Sequence, residues 1–188
     1  MKLTELAIKV IEAAEVEQVD FMTVGAIAAG TYGVPRSTRD VDVLVSVQVP
    51  HRLTALIRRL SAIVQFDPQV TFDTLTWGAR HVGTSLGSPP YKVELFETFD
   101  DPFVEAEFAR RREVFVPLLE RTTWLPTPED VVVQKLRWGR NKDLDDARDV
   151  LAVQGPETLD MAYIEDWCGK HGTLERLHEA LAGIPPLD

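Results

Sequence analysis

The chain has 188 residues, with 30 acidic side chains against 20 Lys and Arg and a formal charge of −10 at pH 7. This length suits one domain, or one domain with a small appendage. The charge argues against a broad nonspecific nucleic-acid surface, which needs many basic residues on one face. Cys168 is the single cysteine, so no intrachain disulfide can form, and the opening residues lack the apolar run of a signal peptide or membrane span. We therefore expect a cytoplasmic protein with no membrane partner.

The first sixty residues alternate between helical and strand patterns. Apolar residues at helical spacing predict an amphipathic helix over residues 3–17. A short apolar strand over 21–24 then ends at Gly25, which opens a small-residue segment typical of a short helix. Residues 39–45 alternate as a strand does. Pro50 breaks the chain before a helix with an apolar stripe from Leu53 to Ile63.

Two aspartates dominate the strand over residues 39–45. Side chains at i and i+2 leave a strand on one face, so Asp40 and Asp42 point the same way. Aspartate is depleted from strands, and neighbouring like charges repel. A divalent cation would offset that repulsion. Mg²⁺, or Mn²⁺ in its place, suits such a pair because it prefers hard oxygen ligands and is held by one or two carboxylates.

The glycine turn before this strand predicts an anion site. Backbone N–H groups of Gly25 and Ala26 at a helix N-terminus attract phosphate without a cationic side chain. Arg36 and Arg39 lie between this turn and the aspartates, so either could reach a triphosphate. The alternative is a surface strand with two solvated aspartates. A Walker A loop is a poor match because Thr31 follows where lysine is required, and the glycine spacing does not fit a dinucleotide-binding motif.

The sequence patterns in the middle of the chain predict further strands and one capped helix. Strand patterns cover residues 70–77, 79–86 and 91–96, with a turn at 87–90. In the last of these strands, Glu94 lies on the face opposite Val93 and Leu95. Asp101 before Pro102 predicts the start of a helix that runs to about Arg112. Residues 114–118 and 122–125 read as short edge strands.

From residue 126 onward the composition becomes helical. Thr127 before Pro128 and two acids is a strong helix start, and that helix should run to about Gly139. Three more apolar stripes at helical spacing follow, the second of them behind Asp160. We therefore place a boundary between a core over residues 1–125 and a C-terminal helical subdomain over 126–188.

The spacing of the glycine turn and the aspartates resembles the nucleotidyltransferase superfamily of DNA polymerase β. The matching residues are Val24-Gly25-Ala26, followed after about a dozen residues by Asp40-Val41-Asp42. The Arg36-x-Thr38-x-Asp40-x-Asp42 form is similar to the bacterial branch that includes abortive-infection toxins and minimal nucleotidyltransferases. Ala26 departs from the Gly or Ser usual there, keeping the N–H but not a hydroxyl. The resemblance implies an α/β (α+β) fold, a mixed β-sheet core flanked by helices.

The resemblance also implies roles for residues outside this motif. Glu94 would be the third carboxylate, completing the metal site or accepting the acceptor's proton, with Glu97 as the fallback on the other strand face. A second similar stretch, residues 128–146, implies that Lys135 meets a phosphate. Arg140 or Lys142, with Asp143 or Asp146, would complete the pocket. The ordinary alternative is basic residues at a helix C-terminus and Asp143 capping the next helix.

The implied activity is metal-dependent transfer of a nucleoside monophosphate from an NTP to an acceptor hydroxyl, with pyrophosphate leaving. RNA or tRNA is one acceptor, and an antitoxin protein is a partner if the chain is the toxin of a toxin–antitoxin or phage-defence pair. Two alternatives remain open. One is a catalytically degenerate protein of this fold that binds a partner, and the other is a small-molecule, antibiotic-type nucleotidyltransferase.

Overall fold

The computed structural model describes residues 1–72 and 78–184. The helices are α1 (Leu3–Val16), α2 (Gly25–Tyr32), α3 (Pro50–Leu60), α4 (Pro102–Arg110), α5 (Pro128–Trp138), α6 (Asn141–Gln154), α7 (Met161–His171) and α8 (Leu174–Ala182). The strands are β1 (Phe21–Thr23), β2 (Asp40–Val45), β3 (Val64–Phe66), β4 (Thr71–Phe72), β5 (Ala79–Ser85), β6 (Lys92–Glu97), β7 (Arg112–Val116) and β8 (Arg121–Leu125). Within these ranges no helix combines the length and apolarity needed to cross a membrane.

A mixed sheet forms the centre of the fold. Its strands lie in the order β1-β2-β6-β5-β3, with β4 pairing β5, and β7 and β8 form a separate two-stranded sheet. The pair β2 and β6 is parallel, while the other pairs of the central sheet are antiparallel. The parallel register sets Asp42 beside Glu94. The two carboxylates predicted on separate strands therefore face each other across the middle of the sheet.

The two faces of β2 have different surroundings because its side chains alternate. Val41, Val43 and Val45 are fully or almost fully buried in the main core, which also holds buried residues of α1 and α3. Asp40, Asp42 and Leu44 face the other way, toward a cavity. The sheet thus has one apolar face that stabilises the fold and one face that carries polar groups.

Three of the predicted helix starts are confirmed by their hydrogen bonds. The side chain of Asp101 accepts from the N–H groups of Phe103 and Val104, Thr127 accepts from the N–H of Asp130, and Asp160 accepts from the N–H of Tyr163. These caps satisfy N–H groups that have no partner inside the helix.

Several local predictions differ from the structure. The helix expected to reach Arg112 ends at Arg110, because Arg111 turns the backbone to an extended conformation and Arg112 begins β7. Strand β3 was not predicted. The strand expected over 70–77 is seen at Thr71–Phe72, and its residues 73–77 lie outside the described residues. Asp143 does not cap α6, since the N-cap is Arg140 and Asp143 lies in the first turn.

The C-terminal helices pack directly against the elements that carry the glycine turn. α2 contacts both α5 and α6. At the end of α2, a Cβ atom on Gly33 would lie 2.8 Å from the backbone nitrogen of Val150, so only glycine permits this approach to α6. One continuous core contains residues from both sides of residue 126. The division into a core and a C-terminal subdomain at that position stays a prediction.

Candidate active site

A cavity of about 270 Å³ lies between the polar face of the sheet, α2, α4 and α5. It gathers most of the residues predicted from the sequence. Those lining it are Gly25, Ala26, Arg36, Asp40, Asp42, Glu94, Glu97, Lys135, Arg140, Lys142 and Asp143. Arg39 is not among the lining residues, because its guanidinium turns away and donates a hydrogen bond of 3.3 Å to the carbonyl oxygen of Pro90. Its predicted contact with a triphosphate has no support in this arrangement.

The first part of the site is the contact between Gly25 and the carboxylate of Asp42. Gly25 has a φ of +65° and begins α2, and a Cβ atom there would lie 2.8 Å from Cγ of Asp42 and overlap its Oδ2. A helix N-terminus with free N–H groups therefore lies directly against a carboxylate-bearing strand. The turn can approach the strand this closely only because Gly25 has no side chain.

Asp42 is half-buried, with too little compensation for its charge. Its Oδ1 atom is buried and has no hydrogen-bond partner among residues 1–72 and 78–184. Burial, followed by the charges of Glu94 and Asp40, raises the pKa of Asp42 to about 7, and Lys135 and Lys92 only partly oppose this. A buried, unpartnered carboxylate oxygen beside a second aspartate is a suitable donor for a hard cation. Asp40 and Asp42 therefore fit a divalent metal ion.

Glu94 is held differently. It is 6% exposed, and its two oxygens lie 3.1 Å from Nη1 of Arg80 and 2.9 Å from Nζ of Lys92. Across residues 1–72 and 78–184, no three acidic, histidine or cysteine side chains are arranged to hold a metal ion. Glu94 would have to turn from these cations to join Asp40 and Asp42. Glu97, the fallback, reaches the cavity but accepts a hydrogen bond of 2.7 Å from Nε2 of His81.

A buried network of charges links α5, α6 and the loop after α2. Nζ of Lys135 lies 2.7 Å from Oδ2 of Asp146 and 3.3 Å from Oδ1 of Asp143. Arg36 donates two hydrogen bonds to Asp146, of 2.6 and 2.9 Å, and Arg140 pairs with Asp143. Burial opposes ionisation of Asp146, but the hydrogen bonds from Arg36 and Lys135 still hold its pKa below the usual value.

This network bears on the prediction that Lys135 meets a phosphate, which stays a prediction. Lys135 is 8% exposed and already shared by two aspartates, so its charge is largely neutralised in the protein itself. Asp146 lies behind the cavity and acts on it through Arg36 and Lys135. Arg36 and Arg140 also pair with these aspartates, but their side chains stay 33% and 51% exposed where they line the cavity. Lys92, with a side chain 41% exposed, and the exposed Lys142 line it as well.

Sequence reasoning missed several lining residues. Arg80 and Lys92 face Glu94 from neighbouring positions of the sheet, and the alternation of β6 already placed Lys92 on the face of Glu94. Glu107 and Gln134 reach the cavity from α4 and α5, alongside aromatic residues. One signal was available for Glu107, since it falls at the i+4 position from Phe103 on the apolar face of its helix.

Comparison with known proteins identifies the fold. No protein-family model and no curated protein matches the sequence. The solution structure of the antibiotic-resistance factor ANT(2'')-Ia is similar, with a TM-score of 0.63, 13% identity, and coverage of 94% of this chain and 96% of that one. A second structure of ANT(2'')-Ia, in complex with adenylyl-2''-tobramycin, gives a TM-score of 0.61 at 14% identity over 92% and 98% of the two chains.

Two other solved structures share the architecture. An antigenic nucleotidyltransferase-like protein from Paracoccidioides brasiliensis has a TM-score of 0.55 at 18% identity, over 98% of this chain and 92% of that one. The lincosamide antibiotic adenylyltransferase LnuA, bound to lincomycin, has a TM-score of 0.53 at 10% identity, over 81% and 98%. The chain therefore has the nucleotidyltransferase fold, as the resemblance of its sequence implied.

Proposed function

We propose that the protein is a metal-dependent nucleotidyltransferase that moves a nucleoside monophosphate from an NTP to an acceptor hydroxyl. The observation that carries this proposal is the contact of the α2 N-terminus at Gly25 with Asp42, whose buried Oδ1 has no partner among the described residues. At this contact a helix N-terminus, which attracts anions, lies next to a carboxylate, which needs a cation to balance its charge. A nucleoside triphosphate with its metal ion supplies both missing charges.

In this proposal the cavity works by positioning and by neutralising charge. The N–H groups of Gly25 and Ala26 bind a phosphate oxygen, and the exposed guanidiniums of Arg36 and Arg140 neutralise the triphosphate from the opposite wall. Asp40, Asp42 and Glu94 would hold Mg²⁺ or Mn²⁺. That ion would polarise the phosphoryl group and stabilise the leaving pyrophosphate. Glu94 is the candidate for accepting the proton of the acceptor hydroxyl. Lys135 keeps Asp143 and Asp146 in place rather than meeting a phosphate.

For the acceptor, we favour a small molecule over RNA. Two of the similar structures were solved with small-molecule antibiotics or their adenylyl product, tobramycin and lincomycin. Arg137, Arg140 and Lys142 form a basic cluster that could contact RNA, but Arg137 is paired with Asp101 and its side chain is only 14% exposed. Transfer to RNA or tRNA, a toxin role with an antitoxin partner, and a cytoplasmic location stay predictions from the sequence.

Nucleotide binding is tested by thermal unfolding of the intact chain with each NTP analogue and millimolar Mg²⁺ or Mn²⁺. A ligand at 100 times its dissociation constant stabilises the fold by about 2.7 kcal/mol. For a chain of this size that is a rise in Tm of roughly 5 to 11 °C. The control is the Asp40→Asn, Asp42→Asn double variant, in which the shift should disappear. The same Tm with and without every nucleotide would refute the proposal.

The second candidate, a catalytically degenerate protein, is favoured by one observation. Glu94 is bound by Arg80 and Lys92 instead of standing free beside Asp40 and Asp42. Labelled NTP offered with an acceptor mixture that includes tobramycin, lincomycin and total RNA separates the two. Incorporation of label that depends on Asp42 supports the enzyme. A normal nucleotide-induced rise in Tm, with no label in any acceptor, supports the degenerate protein.

A further inference from the structure

The cavity extends beyond the carboxylates into a part with different chemistry. Next along the polar face of the sheet, two residues past Asp42 and Glu94, come Leu44 and Phe96, which pair with each other. Two residues of strand correspond to roughly 7 Å. Phe99 and Trp138 also line this end, and the ring of Trp138 lies edge-on to Phe96 with centroids 6.0 Å apart. This aromatic end is suited to a carbon skeleton rather than to a triphosphate.

A buried acidic side chain in this part of the molecule has no partner among the residues that the structure describes. Glu107 on α4 is 4% exposed and lines the cavity, and the same helix face buries Phe103 and Val104. Within the described residues, Glu107 makes no hydrogen bond and no ion pair. Burial, reinforced by Asp130 and Asp101 and opposed by Arg137, raises the pKa of Glu107 well above its usual value. An apolar residue would be less costly at this position if the carboxyl group had no ligand.

A second unsatisfied acceptor lines the same cavity. The Oε1 atom of Gln134 on α5 is buried and has no hydrogen-bond partner in the part of the chain that the structure describes. Gln134 precedes Trp138 by four residues, so the two side chains lie on one face of α5. A carboxylate and an amide oxygen both accept hydrogen bonds, and neither attracts a phosphate. Aromatic faces attract cations. A hydrogen-bond donor with positive charge would satisfy both acceptors and would favour the ionised form of Glu107.

We propose that Glu107 and Gln134 form a subsite for a cationic amino group of the acceptor, while the neighbouring aromatic side chains hold its carbon skeleton. The inference rests on the proposed function, because it assigns this end of the cavity to the acceptor. Bound there, an amino-bearing molecule could place a hydroxyl near Asp42 and Glu94, with the triphosphate at the end of Arg36 and Arg140. The buried acid also disfavours an acceptor with a phosphate backbone.

The test compares an amine-bearing polyhydroxyl probe with its neutral form. Tobramycin and fully N-acetylated tobramycin are titrated calorimetrically into the intact chain without nucleotide. The wild type should bind tobramycin about tenfold more tightly or better, since a hydrogen bond between charged groups is stronger than one to a neutral group. Glu107→Gln should remove most of this preference. Glu105→Gln, on the exposed face of the same helix, is the matched control and should behave as the wild type.

The titrations can contradict the inference in three ways. Equal affinity for both forms, no binding of either, or an unchanged preference in Glu107→Gln would overturn it. Should Glu107→Gln fail to fold, Gln134→Met must weaken tobramycin binding several-fold while leaving the nucleotide-induced rise in Tm intact. The two proposals fail separately. Amine preference without label transfer refutes the enzyme alone, whereas transfer without amine preference refutes this subsite alone.

Discussion

Gly25 and Asp42 lie so close together that a single methyl group on Gly25 would overlap the carboxylate. The glycine also has a φ of +65°, a conformation that other residues adopt at a cost. Glycine is therefore required where α2 meets β2 for two reasons. The backbone has a positive φ, and there is no room for a Cβ atom.

Gly25→Ala tests whether this contact matters for function. We expect a loss of stability of roughly 1–3 kcal/mol, together with loss of the nucleotide-induced rise in Tm, because the methyl group must displace Asp42. The control is Gly172→Ala, which has a φ of +69° but no atom within 4 Å of the added Cβ. It should cost about 1 kcal/mol and leave nucleotide binding unchanged. Equal effects of the two substitutions on nucleotide binding would show that the contact with Asp42 is irrelevant.

Asp42→Asn should stabilise the metal-free protein in a pH-dependent way. The folded-state pKa of about 7 lies above the unfolded value near 3.9, so the folded protein binds more protons between these values. Asp42 therefore lowers stability progressively as the pH rises through this window. The variant should exceed the wild type by roughly 1–4 kcal/mol at pH 8 and by less at pH 5. Denaturant unfolding with EDTA at both pH values measures the difference.

Asp130→Asn is the matched control for that experiment. Asp130 is fully buried, and unlike Oδ1 of Asp42 its oxygens accept hydrogen bonds, from Tyr163 at 2.6 Å and Thr127 at 2.8 Å, with Arg110 at 3.3 Å. Its replacement should destabilise the protein by about 1–3 kcal/mol, because it breaks a satisfied network. If Asp42→Asn destabilises the protein as Asp130→Asn does, Asp42 belongs to a structural network and not to a metal site.

Asp146→Asn should weaken the protein and its nucleotide site together. Asp146 neutralises both Lys135 and Arg36, and removing one member of a buried charge network costs roughly 3–5 kcal/mol. Arg36 would lose its fixed orientation, so we expect the Kd for NTP to rise about tenfold, within the range of a lost charged hydrogen bond. Asp145→Asn, an exposed neighbour paired with Arg148, should change stability by less than about 0.5 kcal/mol. If Asp146→Asn leaves the Kd for NTP unchanged, the network contributes to stability and not to nucleotide binding.

Glu94→Gln and Glu97→Gln distinguish the two candidates for the third carboxylate. Glu94 faces Asp42 across the parallel pair, whereas Glu97 is engaged by His81. We expect Glu94→Gln to lower label transfer by about 10²-fold or more, and Glu97→Gln to lower it less than about threefold. Rates are compared per folded molecule, because Glu94→Gln also weakens two ion pairs. If Glu97→Gln lowers label transfer more than Glu94→Gln does, the third carboxylate is Glu97.

Local patterns in the sequence were sufficient to predict much of this fold. A strand alternates its side chains with period two, which alone placed Asp40 and Asp42 on one face, and short-range capping by Asp101, Thr127 and Asp160 marked three helix starts. These features depend only on residues a few positions apart. The glycine turn at Gly25 was also readable, because its distance from Asp40 and Asp42 resembles a known superfamily.

The tertiary structure decided which charges meet. Lys135 and Arg140 are bound by aspartates of α6, Arg39 turns away from the cavity, and Glu94 is held by Arg80 and Lys92. Glu107 joins the cavity from a helix for which the sequence predicted a start and an end but no site residue. None of these pairings follows from local spacing, because they bring together elements distant along the chain. The sequence by itself thus determined which strand and turn carry the chemistry, whereas the packing of α4, α5 and α6 over the sheet determined which of their charged side chains are neutralised and which face the cavity.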